Sequence, residues 1–232
     1  MCGRFLLTAP PEAVQRLFGF LELPNLEPRY NIAPSQAVAA MVRDDRAQRH
    51  FVWMRWGLVP SWAKGERSQA PLINARAETV AEKPSFRDAF AGRRCVVFAD
   101  GFYEWRQGGN RQPYCVRRAD ASPFAFAAIW EPVQGAGEGE PDQGCALITT
   151  EANATMAAVH HRMPVILTPQ EVGPWLDPAS PRAALQALLR PLPDDAVKLT
   201  PVSKRVNSVR EDDAELLREE ELPAAPSQLD LF

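Results

Sequence analysis

The 232-residue chain reads as an α+β fold: one domain with a curved, mostly antiparallel, barrel-like β-sheet core flanked by short helices. Two observations lead there. Apolar and aromatic runs of strand character outnumber helical ones, and they cluster instead of alternating strand–helix–strand, which disfavours a doubly wound sheet. Hydrophobic residues make up 46% of the chain and charged residues 24%, an ordinary balance that fills one sizeable core.

The elements follow in order. Residues 10–20 (PPEAVQRLFGF) form an amphipathic helix with Pro at its start and Gly near its end. Residues 36–42 and 50–56 are strands, the second (HFVWMRW) strongly aromatic. Residues 84–91 form a helix opened by Ser85. Strands are expected near 94–99, 101–106, 112–118, 123–131 and 145–150, with GAGEGEPDQG (135–144) as a surface loop. Helices are expected over 153–161, 169–176 and 180–190, and a last strand near 197–202. Domain organisation follows from charge. Residues 211–232 hold eight acids and one base, a net of −7, leaving +4 on the preceding 210 residues. The body is therefore 1–210, and 211–232 is an acidic flexible tail.

Composition also excludes classes. No apolar run approaches the ~20 residues of a membrane span, and the start of the chain lacks a signal-peptide apolar segment. Cys2, Cys95, Cys115 and Cys145 lie in no C-x-x-C pair, so no zinc, other metal or cofactor is expected. Their scatter fits a reducing cytoplasm. Cys95 and Cys145 sit in apolar runs and read as small buried hydrophobes. A mildly basic body is compatible with a nucleic-acid partner.

The chemistry begins at MCGRF. Removal of Met1 exposes Cys2 with an α-amine and a thiol on adjacent carbons. An α-amine titrates at about 7.7–8.0, so a useful fraction is neutral near pH 7. A neutral amine condenses with an aldehyde to a Schiff base, and the thiol can then close a five-membered thiazolidine. An internal residue cannot do this, because its nitrogen is an amide. Gly3 leaves backbone room beside the reacting group.

Polar and aromatic constellations elsewhere give Cys2 a context: RYNIAPSQ (29–36), RWGLVPSWA (55–63), INARAET (73–79), EKPSFRDAF (82–90), RRCVVFADGFYEW (93–105) and HHRMP (160–164). In that order, and from residue 2 to about 207, they resemble the SRAP family, the abasic-site processing proteins that crosslink to DNA. The resemblance implies a SRAP-type domain that captures abasic sites in single-stranded DNA through Cys2, with peptidase-like self-processing and some lyase character. Cys2 matches the crosslinking cysteine. Asn74 matches an asparagine that positions the amine and the sugar. Glu104 matches a glutamate that orients the amine and moves protons. His160, first of the histidine pair, matches the acid that opens the sugar ring. His161 occupies a position that is acidic in some relatives, so the role goes to His160.

The DNA contacts follow by proximity. Arg4, Arg76 and Arg162 each lie within two residues of a proposed catalytic group and suit flanking phosphates. Trp62 suits stacking on a base beside the lesion. Trp53, Trp56, Trp105 and Trp130 are assigned to core packing. Asn31 and Pro34 complete the DNA-facing set as pocket wall. The last five residues, Gln228-Leu229-Asp230-Leu231-Phe232, resemble the peptide that docks on the bacterial sliding clamp, with Leu231 and Phe232 as apolar anchors and Gln228 at the pocket edge. About 15 flexible residues give such a tether ~20 Å of reach. A monomer suffices for this chemistry. Two other classes stand beside it. One is an N-terminal-nucleophile amidohydrolase, which also begins Met-Cys-Gly and needs a thiolate and an oxyanion hole. The other is a non-catalytic clamp-associated single-strand binder.

Overall fold

The computed structural model describes residues 2–63, 70–108, 110–133 and 136–222. The central hairpin joins β3 (Ala37–Arg43) to β4 (Arg49–Trp56). Its turn is made by Asp44, whose carboxylate accepts the N–H groups of Arg46 and Gln48. Ahead of it lie β1 (Phe5–Leu7), α1 (Pro11–Phe18) and β2 (Arg29–Ile32). Behind it come β5 (Asn74–Arg76), α2 (Arg87–Gly92), β6 (Arg94–Ala99), β7 (Gly101–Trp105), β8 (Pro113–Arg118), β9 (Phe124–Pro132) and β10 (Gln143–Glu151). The chain continues with α3 (Ala154–Ala157), β11 (Arg162–Pro164), β12 (Ile166–Leu167), α4 (Pro169–Leu176), α5 (Arg182–Leu188) and β13 (Val197–Pro201).

The larger sheet closes on itself. β4 pairs β3, β3 pairs β6, β6 pairs β9 and β9 pairs β10, all antiparallel. β10 then returns to β4 in parallel, with Gly144 beside Arg55 and Cys145 beside Trp56. Where β9 and β10 splay apart, β11 and β12 fill the seam. The short β5 lies parallel to β10, Asn74 beside Leu147. A second sheet, in the order β13-β8-β7-β1-β2, packs outside. The chain crosses between sheets at Asp100, whose carboxylate accepts both the N–H and the hydroxyl of Thr8. Fully buried Phe5, Trp56 and Phe126 pack ring to ring inside, at 5.0 and 5.6 Å. The barrel-like α+β expectation is met, and Cys95 and Cys145 are fully buried in its core.

Several local expectations change. The helix over 84–91 begins at Arg87, after a run of turns, and Ser85 does not cap it. The helix over 153–161 is one turn, capped by Asn153 accepting from the Met156 N–H at 2.8 Å. The chain then folds back, with the Ala152 N–H on the His161 carbonyl at 3.1 Å. β1, β2, β5, β11 and β12 were not expected; at two to four residues they are too short for a period to show. The acidic segment is not free from residue 211. Its Leu216 is fully buried against Leu6, Tyr103 and Cys115, and the Glu220 N–H bonds the Pro201 carbonyl. Trp56 is core, but Trp53 is 45% exposed, leaning on Phe51 from the outer face of β4. Among the described residues no helix is long and apolar enough to cross a membrane.

Candidate functional site

Cys2 sits just ahead of β1 with no exposed surface. The β1–β7 ladder, Phe5 beside Phe102, is extended by the Tyr103 N–H on the Arg4 carbonyl at 2.9 Å. That register brings Glu104 alongside the first residues of the chain. Strand alternation puts Glu104 on the same side of β7 as the core residue Phe102, and it is 3% exposed. From the barrel side, β5 presents Asn74, whose Nδ2 donates to the Cys2 carbonyl at 2.8 Å. Its Oδ1 is buried and accepts no hydrogen bond among the described residues. A buried amide oxygen without a donor is uncommon, and this one belongs to the side chain that holds Cys2.

His160 follows the α3 turn. Its Nδ1 lies 2.9 Å from the Arg162 N–H and 3.2 Å from the Arg162 carbonyl. The closer partner is a donor, so Nδ1 accepts and the neutral ring carries its proton on Nε2. The ring stacks on His161 at 4.4 Å, and His161 turns to Gln107. Of the pair, only His160 lines the cleft.

That cleft, about 600 Å³, is lined by Arg4, Glu104, Trp105, Arg106, Gln107, Gly108, Asn110, Arg111, His160 and Asn207. Trp105, expected to pack in the core, is half-buried: it packs against the smaller hydrophobic cluster and also forms a wall of the cleft, with Nε1 donating to Asn207 at 2.7 Å. Arg106, Arg111, Asn110 and Asn207 were missed. Only Arg106, directly after FYEW, carried any signal in the sequence. Burial dominates the electrostatics. It raises the Cys2 thiol well above its ordinary value, with the Glu104 charge adding to the effect. It also raises Glu104 and lowers His160.

The expected DNA contacts separate. Arg4 lines the cleft, with Nη1 donating to Asn31 Oδ1 and the Val206 carbonyl at 2.7 Å each. Asn31 itself is fully buried, and its amide donates to the Ser208 and Glu211 carbonyls. Asn31 thus supports the cleft wall from behind, its side chain held by Arg4 and by the carbonyls of Ser208 and Glu211. Arg76 is exposed on β5. Arg162 forks onto both oxygens of Glu78, at 2.6 and 3.0 Å, and reaches the Thr149 carbonyl at 2.6 Å. This pairing holds the Glu78 carboxyl below its ordinary range. Trp62 is 56% exposed on a single 3₁₀ turn, Ser61–Ala63, and half-buried Pro34 lies in the β2–β3 turn. Neither is among the residues lining the cleft. Residues 228–232 lie outside the described residues. Among the described residues no group of three His, Cys, Asp or Glu side chains is placed to hold a metal.

Abasic site processing protein YoqW of Bacillus subtilis is 39% identical over 223 residues, covering 94% of this chain and 99% of the relative. Abasic site processing protein YedK of Escherichia coli is 32% identical over 228 residues, covering 94% and 99%. HMCES of Gallus gallus, another abasic site processing protein, is 36% identical over 82% of this chain and 66% of its own. A crystal structure of a Bacteroides thetaiotaomicron protein superposes with a TM-score of 0.83 at 26% identity, covering 95% of this chain and 100% of that one. The family model for SOS response associated peptidases spans residues 1–209, and the chain belongs to that family, SRAP.

Proposed function

We propose that this protein processes abasic sites in single-stranded DNA by covalent capture through Cys2, after Met1 is removed. The observation that carries this reading is the grip of Asn74 on the Cys2 carbonyl, 2.8 Å, beside a cleft that holds Glu104 and His160. The similarity to proteins named for abasic-site processing supplies the substrate class.

The steps follow from the groups. The Nε2–H of His160 donates to the ring oxygen of the closed sugar as the C1′–O4′ bond breaks; the C1′ hydroxyl loses its proton to water, which returns one to the imidazole, and the C1′ aldehyde is freed. The Cys2 amine, with the Asn74 oxygen as a nearby acceptor, adds to C1′; water leaves and an imine forms. The thiol then adds to the imine carbon, its proton passes to Glu104, and the ring nitrogen takes up a proton in turn. Burial raises Glu104 and so makes its carboxylate a stronger base. The masked aldehyde no longer undergoes β-elimination, so the strand is protected. Release of Met1 is the peptidase-like step, and the imine is the point from which lyase chemistry can branch. The segments that carry Asn74, Glu104 and His160 do not resemble those of an N-terminal-nucleophile amidohydrolase. The C-terminal QLDLF peptide, docked on the sliding clamp, would deliver a monomer to replicating DNA in the bacterial cytoplasm.

Intact-protein mass spectrometry with a single-stranded oligonucleotide carrying one abasic site tests the reading. The expected result is a chain lacking Met1 and a heat-stable adduct that Cys2→Ala abolishes. Retained Met1, or no adduct on a fresh abasic site, would end it in favour of a non-catalytic binder.

A further inference from the structure

We propose that Glu78 is a built-in competitor for a DNA phosphate: its carboxylate occupies the guanidinium fork of Arg162 in the free protein and is displaced when a strand enters. The inference rests on the DNA-capture reading above.

Three observations carry it. The pair is bidentate, Nη1 to Oε1 at 2.6 Å and Nη2 to Oε2 at 3.0 Å. This is the planar two-oxygen geometry in which a guanidinium also takes a phosphate. The partners are unequal in burial. The Arg162 side chain is 13% exposed and Glu78 is 50% exposed, so the carboxylate forms the solvent side of the pair and can swing away. Arg162 would stay in place without it, because Nη2 also donates to the Thr149 carbonyl at 2.6 Å on the neighbouring strand. The fork is a fixed receptor, and Glu78 is its movable anion.

The location gives the exchange a purpose. The Arg162 N–H holds His160 Nδ1 at 2.9 Å, so the fork and the catalytic imidazole share one residue. A phosphate seated on Arg162 is therefore in register with the site. A half-exposed ion pair is weak, so a correctly placed phosphate can replace it, while loosely held polyanions gain little by doing so. Glu78 would then set selectivity for a strand that threads past His160 over general adsorption.

The test is equilibrium binding of the full chain to a single-stranded oligonucleotide bearing a tetrahydrofuran abasic analogue, which has no aldehyde and cannot crosslink. Glu78→Gln is expected to tighten binding by roughly two- to fivefold, the worth of one half-exposed ion pair. Glu78→Asp, which keeps the charge but loses reach, should give a smaller gain. Glu82→Gln removes an equally negative, more exposed side chain nearby in sequence, and should change little. Adding Arg162→Gln should erase the Glu78→Gln gain. Equal or weaker binding by both Glu78 variants overturns the proposal, as does an equal gain in Glu82→Gln. If wild type still forms its adduct on a true abasic site, only this inference has failed. If wild type neither binds nor reacts, the capture reading has failed with it.

Discussion

At the scale of single residues, burial and pairing push titrations in opposite directions, and the signs are testable. His50 donates from Nδ1 to Glu22 at 2.7 Å and from Nε2 to Asp44 at 3.0 Å, an arrangement that only the imidazolium can make. Its pKa is raised, first by Glu22 and then by Asp44. Any stability it contributes is thus present below the unfolded value, about 6.5, and fades as pH rises through the folded one. His160 is lowered by burial and stays neutral further into acid. An NMR titration should find His50 titrating above His160; the reverse order would contradict the placement of both rings. Glu104 is raised by burial, so the stability it contributes is fully present below the unfolded value and is lost as pH rises through the folded one. Glu104→Gln should therefore melt higher than wild type at neutral pH, with the difference vanishing in acid, while slowing capture by about 10²–10⁴-fold. Calorimetry at two pH values, alongside adduct kinetics, separates the two effects.

At the scale of elements, the acidic C-terminal segment behaves as a strap. Asp212 accepts the Asn31 N–H at 2.9 Å and pairs with Arg29 at 2.6 Å, Arg205 pairs with Asp213 at 2.7 Å, and Leu216 is fully buried. Upstream of these anchors, the Val206 carbonyl holds Arg4 and the Asn207 side chain holds Trp105, so the strap positions one wall of the cleft. Leu216→Ala should cost about 2–5 kcal/mol of stability, the range for emptying a buried leucine site. Chemical denaturation measures this, and a change under 0.5 kcal/mol, roughly the scale of a neutral surface substitution, would mean the strap is not anchored there. This element also shows where the sequence stops being legible. Long strands such as β9 and β10 announce themselves by composition. The strap reads as a solvated acidic tail because its acids are satisfied by Arg29, Arg205 and the Tyr30 and Asn31 N–H groups, 6 to 183 residues away. The short strands that carry Asn74 and Arg162 are likewise set by pairing with β10, which no local period records. Cys2, Asn74, Glu104 and His160 are legible from motif order; the inner support by Asn31 and the Glu78 fork arise from tertiary contacts that no local pattern records.

At the scale of the whole molecule, barrel closure and site geometry depend on one seam. β10 meets β4 at Gly144, where an added Cβ would lie 2.6 Å from the Gly57 carbonyl oxygen. Just beyond, the Gly57 N–H bonds the Cys145 carbonyl at 2.8 Å. The Ile73 carbonyl accepts both the Trp56 indole and the Leu147 N–H, at 3.0 Å each. Asn74 follows Ile73 directly, so the side chain that holds Cys2 is tethered to the seam that closes the barrel. Interiors transmit strain of this kind because they are close-packed. Gly144→Ala should therefore lower stability by about 1–3 kcal/mol, as overpacking does, and should also slow adduct formation by moving Asn74. Binding of the tetrahydrofuran oligonucleotide, assigned in the proposal above to Arg162 and the cleft rim, should be nearly unchanged. Gly92→Ala supplies the contrast: a Cβ there meets nothing within 4 Å, and the loss of unfolded-chain freedom should stabilise by about 0.4–1 kcal/mol. If Gly144→Ala loses stability while capture proceeds at the wild-type rate, the seam holds the barrel but not the site, and Asn74 must take its position from β10 alone.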